Sequence, residues 1–297
     1  MRFHQGVTFL PIHDVVDLAI ASDDLGYAGF MISDHIFNAK ELKSRYTYST
    51  NDDGSPFWES DTEWPDPMCF ISGLATVTRN LLFTTGVYIA PARDLVTVAK
   101  SVGAAAVLSN NRVRLGVGVG WCEEEFDATG QEFSTRGRRL DEMIVALREL
   151  WHEGWVEHHG TYYDIPACKM LPAPSAPVPI LGGGGSVPAL RRAVSLCDGW
   201  ITHGAGPEEH AWEQLGLIKG ALSDAGRSVD DFAIYLAVNA MPDVDLYKRF
   251  ADEGVSDMLC APWMSVQLPP DAPREKVVAA RVEASQRFSD EIIAKVG

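Results

Sequence analysis

The sequence predicts an α/β fold of the (β/α)8, or TIM, barrel class, with insertions after strand 2 and before strand 5. Two observations carry this. Eight short apolar, often β-branched runs alternate with segments of helical periodicity. Length alone, 297 residues, suggests about two domains, but barrels of about 250 residues with insertions fold as one. An open, doubly wound sheet is the alternative that alternation alone allows.

Phe3 to Phe9 reads as the first strand, and Val15 to Leu25 as a helix closed by Gly26, a residue suited to a helix C-cap. Gly29 to Ile32 is the second strand. A helix at Met68 to Thr78 leads to the third strand, Leu81 to Ile89, and the Ala-rich helix Leu95 to Leu108 to the fourth, Val113 to Val119. The remaining strands are Val178 to Leu181, Gly199 to Thr202, Phe232 to Val238 and Ser256 to Cys260. Two segments exceed this minimal unit. Residues 38–67 are polar and rich in turn formers, yet carry Tyr46, Tyr48, Phe57, Trp58 and Trp64; a long aromatic loop in a compact domain suits contact with a ligand or partner. Residues 154–174 alternate around Gly160 and read as a small hairpin followed by a Pro-rich run. The whole of 1–297 is expected to form one domain.

The formal net charge of −16 argues against a nucleic-acid partner and against anionic membrane surfaces, both of which need clustered Lys and Arg. Five scattered cysteines, with no CxxC pair, give no metal or disulfide framework. No apolar stretch reaches the roughly 18 residues of a membrane span, and MRFHQGVTFLP is unlike a signal peptide. The expectation is a cytoplasmic protein without a bound metal, acting on a small-molecule substrate.

Four segments carry chemistry. Gly116, Gly118 and Gly120 in LGVGVGW formally resemble a dinucleotide fingerprint, but Trp121 stands at its last position; alternating glycines on a strand more simply admit a flat ligand or a neighbouring backbone. The run Gly182-Gly183-Gly184-Gly185-Ser186 precedes a helix starting near Val187-Pro188, where backbone N–H groups and the helix dipole suit an anion such as a phosphate; a plain strand-to-helix turn is the competing reading. Ser33-Asp34-His35 ends the second strand, where barrels place reactive groups, so His35 suits acid–base work or a hydrogen bond to a cofactor ring; a structural loop histidine is equally compatible. Thr85-Gly86-Val87 ends the third strand, where Gly86 allows unusual backbone geometry or is an ordinary strand glycine.

Together these segments resemble the luciferase-like monooxygenase superfamily, and within it the branch of coenzyme F420-dependent oxidoreductases. The resemblance rests on SDH, TGVYIAP, the block NRVRLGVGVGWCEEEFDATGQEFSTRGRRLDEMIVALRELW, HGTYYDIP, PVPILGGGG and CDGW, in that order, to about Trp200. It implies that Asp34 and His35 are catalytic and lie beside the reactive ring of a deazaflavin. It implies cofactor contacts from Ser33, Gly86, Val87 and Asn111, a non-prolyl cis peptide at Gly86-Val87, and a phosphate cradle at Gly183, Gly184 and Gly185. Glu125 and Arg138, in the same block, are read as structural, through capping and helix pairing.

The chain departs from the glucose-6-phosphate dehydrogenases of that branch, which carry a Glu after strand one and a Lys after strand six. Here Thr8 to Pro11 and Ala205-Gly206 stand at those places, which argues against a phosphorylated sugar. Phe9, Trp121 and the aromatic insertion suit an apolar substrate. The resemblance thus implies hydride transfer between coenzyme F420 and a small, apolar organic substrate, in a homodimer. An FMN-dependent monooxygenase using O2 and a non-catalytic cofactor-binding barrel are the alternatives.

Overall fold

The structure, a computed structural model, describes residues 1–49 and 51–296. Thr50, within the 38–67 insertion, and Gly297, the last residue of the expected 1–297 domain, lie outside the described residues.

Parallel strands β1 (Arg2–Gly6), β2 (Gly29–Ile32), β3 (Leu82–Thr85) and β4 (Val113–Val117) form one half of a closed barrel. After an antiparallel ribbon of β5 (Val156–His159) and β6 (Asp164–Cys168), strands β7 (Ile180–Gly183), β8 (Gly199–Ile201), β9 (Ala233–Ala237) and β10 (Asp257–Cys260) complete it. β10 pairs with β1, with Arg2 opposite Asp257, which closes the sheet and leaves it no edge. The ribbon is the expected hairpin. Around the barrel lie helices α1 (Ile12–Ser22), α2 (Pro67–Val77), α3 (Leu95–Leu108), α4 (Glu123–Thr129), α5 (Arg136–Leu150), α6 (Val187–Leu196), α7 (Glu208–Asp224), α8 (Val244–Asp252) and α9 (Arg274–Phe288). The fold is therefore a (β/α)8 barrel, and the open sheet is excluded.

Helix starts follow local chemistry. Asp66, Asp94, Ser186 and Asp243 accept main-chain N–H groups that α2, α3, α6 and α8 would otherwise leave unpaired. Strand residues alternate as a two-residue period requires. Phe3, Phe30, Phe83, Leu115, Ile180, Trp200, Ile234 and Met258 face the helices in the main core. Met31, Leu181, Ile201 and Tyr235 form a second, inner cluster, covered by Val87.

Two strands end earlier than the sequence suggests. β1 stops at Gly6, and Phe9 lies in a turn with φ 71°. β3 stops at Thr85; the Gly86-Val87 peptide is cis, as the resemblance implies, and pairing resumes only as a bridge from Tyr88 to Val117.

The glycines in and just after β4 make room for neighbouring protein atoms. A Cβ on Gly116 would lie 1.9 Å from the Thr85 carbonyl oxygen, and one on Gly118 would lie 2.4 Å from Val87 Cγ2. They let the segment after β3 settle against β4. Gly116→Ala is therefore expected to lower stability by about 3 kcal/mol or prevent folding, because a backbone oxygen cannot yield as a side chain can. Chemical denaturation checks this, and a loss under about 1 kcal/mol would contradict the close approach.

Candidate functional site

Because every barrel strand runs the same way, the segments after β2, β3, β4, β7 and β8 converge at one end. After β2, Asp34 turns away from the mouth. Its fully buried carboxylate takes two hydrogen bonds from Arg93, at 2.7 and 2.8 Å, and the N–H of Ile89 at 2.9 Å. This forked pair ties the segment after β2 to the one after β3. Arg93 also sits 4.3 Å from the Tyr88 ring centroid. All of the Asp34 hydrogen bonds hold backbone and an arginine in place. Ser33 works alongside it, its hydroxyl donating to the Gly86 carbonyl at 3.1 Å and pairing with Thr8 at 2.8 Å.

His35 points the other way. Its Nδ1 lies 2.9 Å from Oε1 of Glu125 on α4, a carboxylate 1% exposed that also accepts the Ile36 N–H at 2.8 Å. Nε2 has no hydrogen-bond partner among the described residues. Trp64, Trp58 and Trp121 surround the imidazole at centroid distances of 4.8, 5.1 and 5.7 Å. Glu125 is the residue that sequence reasoning placed in a capping role and the structure places against His35. Arg138 lies over the Tyr162 ring of the hairpin at 6.0 Å, outside this group.

The 38–67 insertion forms the roof. Trp58 is its centre, packed against Tyr46, Phe57, Trp64, Trp121 and Phe9. At its far side Tyr48 stacks on His203, the second residue after β8, with ring centroids 4.7 Å apart. Burial pushes the Tyr46 hydroxyl up to about 12, with Tyr48 adding to the effect, so it stays protonated. Two carboxylates pin the roof: Glu63 accepts the Ile12 N–H, and Glu124 accepts the N–H groups of Lys43 and Ser44. Partial burial raises the Glu124 carboxyl, but these N–H groups and the Ser44 hydroxyl outweigh it and hold the group at about 2. Beneath the roof, between β1, β2 and Trp64, remains a cavity of about 20 Å³, room for one water.

The glycine run splits into two roles. Gly182 and Gly183 belong to β7; a Cβ on the first would meet Ala193 of α6 at 2.9 Å, and on the second Val87 Cγ1 at 2.5 Å. Gly184, at φ 105°, and Gly185 leave the strand, and their N–H groups and that of Ser186 donate no hydrogen bond among the described residues. Close by, Nδ1 of His203 and Oε1 of Gln214 are buried without a partner, at 2.6 and 3.1 Å from where a Gly185 Cβ would sit. Thr202 Oγ1 is likewise buried and unpaired. Buried donors and acceptors without a partner favour a polar neighbour. Burial, with His210 adding to it, lowers the His203 pKa, so its ring is neutral near pH 7.

Asn111 is elsewhere. It lies two residues before β4 begins, at the opposite end of the barrel, with φ 62° and its Nδ2 donating to Ser175 at 2.7 Å. It does not join the residues that converge at the mouth. Phe9, 47% exposed, packs on Phe57, Trp58 and Trp64 at the outer rim, whereas Trp121 reaches the His35 ring. Among the described residues no group of His, Cys, Asp and Glu is placed to hold a metal, and no helix is long and apolar enough to cross a membrane.

The family model described as luciferase-like monooxygenase matches residues 2–245. The chain belongs to the luciferase-like monooxygenase family. An uncharacterized protein of Mycobacterium tuberculosis (strain ATCC 25618 / H37Rv) is 34% identical over 301 residues, covering all of both chains. An F420-dependent glucose-6-phosphate dehydrogenase of Amycolatopsis mediterranei (strain U-32) is 25% identical over 284 residues, covering 94% of this chain and 77% of that one. A monooxygenase of Streptomyces bottropensis superposes with a TM-score of 0.74 at 16% identity over all of both chains. Likeness thus runs well past Trp200, where the recognisable motifs stop.

This luciferase-like protein makes two checks available at its mouth. Asp34→Asn breaks the buried pair with Arg93 and is expected to lower stability by about 3–5 kcal/mol; an unchanged denaturation midpoint would contradict its structural role. Glu124→Ala is expected to speed hydrogen exchange at Lys43 and Ser44 about tenfold. The depressed carboxyl sets the pH sense. The tether is fully present above the ordinary carboxylate range and is lost only as pH falls through about 2. Exchange at these amides that quickens already between pH 6 and 4, beyond the intrinsic trend, would contradict it.

Proposed function

We propose that this chain is an oxidoreductase that transfers hydride between coenzyme F420 and a small, apolar organic substrate. The observation that carries the reading is the convergence, at one end of the barrel, of a polar cradle beside a helix N-terminus with a histidine set among indole rings. The F420-dependent relative adds to it.

The N–H groups of Gly184, Gly185 and Ser186, which donate no hydrogen bond among the described residues, fit a phosphate-bearing cofactor. When bound, the deazaflavin supplies the carbon that accepts or gives up the hydride. The protein does the rest. Val87, seated over the inner cluster and given room by Gly118 and Gly183, makes an apolar floor for a flat ring. His35 holds or releases a proton at Nε2 beside the substrate. The roof excludes water once it closes.

Charge argues against a sugar phosphate. The loop after β8 offers Ala205 and Gly206, Arg93 is committed to Asp34, and Arg136 donates to the carbonyls of Gly120 and Phe133. Trp58, Trp64 and Trp121 instead favour an apolar or aromatic substrate through stacking.

Fluorescence titration tests the cofactor: binding of F420 in the micromolar range with none of FMN is expected, and the reverse result would replace this reading with an FMN-dependent monooxygenase. His35→Ala should then leave F420 affinity within about threefold while lowering turnover about 10²- to 10⁴-fold. Unchanged turnover would remove His35 from the chemistry.

A further inference from the structure

The two nitrogens of His35 are not equivalent, and the reason lies ninety residues along the chain. We infer that Glu125 is a positioning residue that locks His35 as its Nδ1–H tautomer, so that the neutral ring presents an unprotonated Nε2 to the mouth. The role in turnover rests on the proposed redox reading; the tautomer does not.

The argument is one of donors and acceptors. An ionised carboxylate oxygen only accepts. Glu125 Oε1 already takes the Ile36 N–H at 2.8 Å, from the residue next to His35, so it faces this segment as an acceptor. The Nδ1 atom 2.9 Å away must then be the donor. Two contacts to adjacent residues also fix direction: the main-chain bond sets the loop, and the side-chain bond sets the ring. Burial makes the arrangement strict, since Glu125 is 1% exposed and a misdirected carboxylate would have no water to satisfy it. Histidine free in water favours the opposite tautomer, with the proton on Nε2. The pairing therefore inverts the default and leaves Nε2 ready to accept a hydrogen bond or proton.

The charges around the ring support one partner. From its own segment comes Asp34, neutralised by Arg93; from α4 comes Glu125. The insertion meets the imidazole with Trp58 and Trp64, and their charged neighbours Glu59 and Glu63 are exposed, Glu63 being bound to the Ile12 N–H. The β4 end contributes Trp121.

Ring-nitrogen NMR of the cofactor-free protein tests this, with the His35 signals assigned by their loss in His35→Asn. In the unmodified chain above the protonation midpoint, Nδ1 should carry the proton and Nε2 should resonate as a bare nitrogen. Glu125→Gln, which still offers a carbonyl oxygen, should keep that tautomer. Glu125→Leu should release the ring to the Nε2–H form. In the loaded enzyme Glu125→Leu should lower kcat at least about tenfold with KM within about twofold, and Glu125→Gln should recover part of the loss. An Nε2–H ring in the unmodified chain would overturn the proposal without any variant. So would a tautomer indifferent to Glu125→Leu. Failure of the F420 titration would instead overturn the redox reading and leave the tautomer standing.

Discussion

The carboxylate of Asp34, buried at the end of β2 and gripped by Arg93, fixes how the barrel mouth is built. Sealing a carboxylate and a guanidinium from water is costly unless each finds full compensation, and here a two-pronged pair and the Ile89 N–H supply it. The consequence is geometric. With Asp34 turned inward, the next residue, His35, is turned to the mouth. With Ile89 and Arg93 held, the segment after β3 lies down on β4, and Val87 covers the inner cluster. Ser33 adds a third tie through the Gly86 carbonyl. The floor and the histidine are thus placed by the same buried charge.

That framework explains why the glycines read so ambiguously in sequence. Gly116, Gly118 and Gly183 make room for the Thr85 carbonyl and for Val87, so most of the glycine pattern records how tightly the strands approach each other. Gly184 and Gly185, past the end of β7, donate no N–H hydrogen bond among the described residues. A glycine between neighbouring strands and a glycine at a ligand look the same in one dimension. The structure separates them by what a missing Cβ would have touched.

The barrel itself was legible because apolar runs with a two-residue period and helices with capping residues leave local signatures. Strand ends were not. Phe9 continues the β pattern of the first strand, but the chain turns at Gly6, and Leu81 to Ile89 reads as one strand although Gly86-Val87 interrupts it. At the site, His35 was readable from its place after a strand, and the aromatic weight of 38–67 marked the insertion. Its partners were not: Arg93 lies 59 residues from Asp34, Glu125 lies 90 from His35, and His203 and Gln214 meet Gly185 from the segment after β8 and from α7. Asn111 stands apart from this group because proximity to β4 in sequence does not say which end of the strand it occupies.

The roof gives the site its character. A glutamate at each side, Glu63 and Glu124, holds a loop whose aromatic residues pack over His35. Its lifting and closing would set what enters, and its indoles what stays. The central claim is that this mouth holds a phosphate-bearing deazaflavin between the glycine run and His35. A crystal structure of the protein grown with coenzyme F420 addresses it most directly. The account predicts phosphate density against the N–H groups of Gly184, Gly185 and Ser186, with the tricyclic ring between Val87 and His35. Density for the cofactor at the other end of the barrel, or none at saturating concentration, would contradict it.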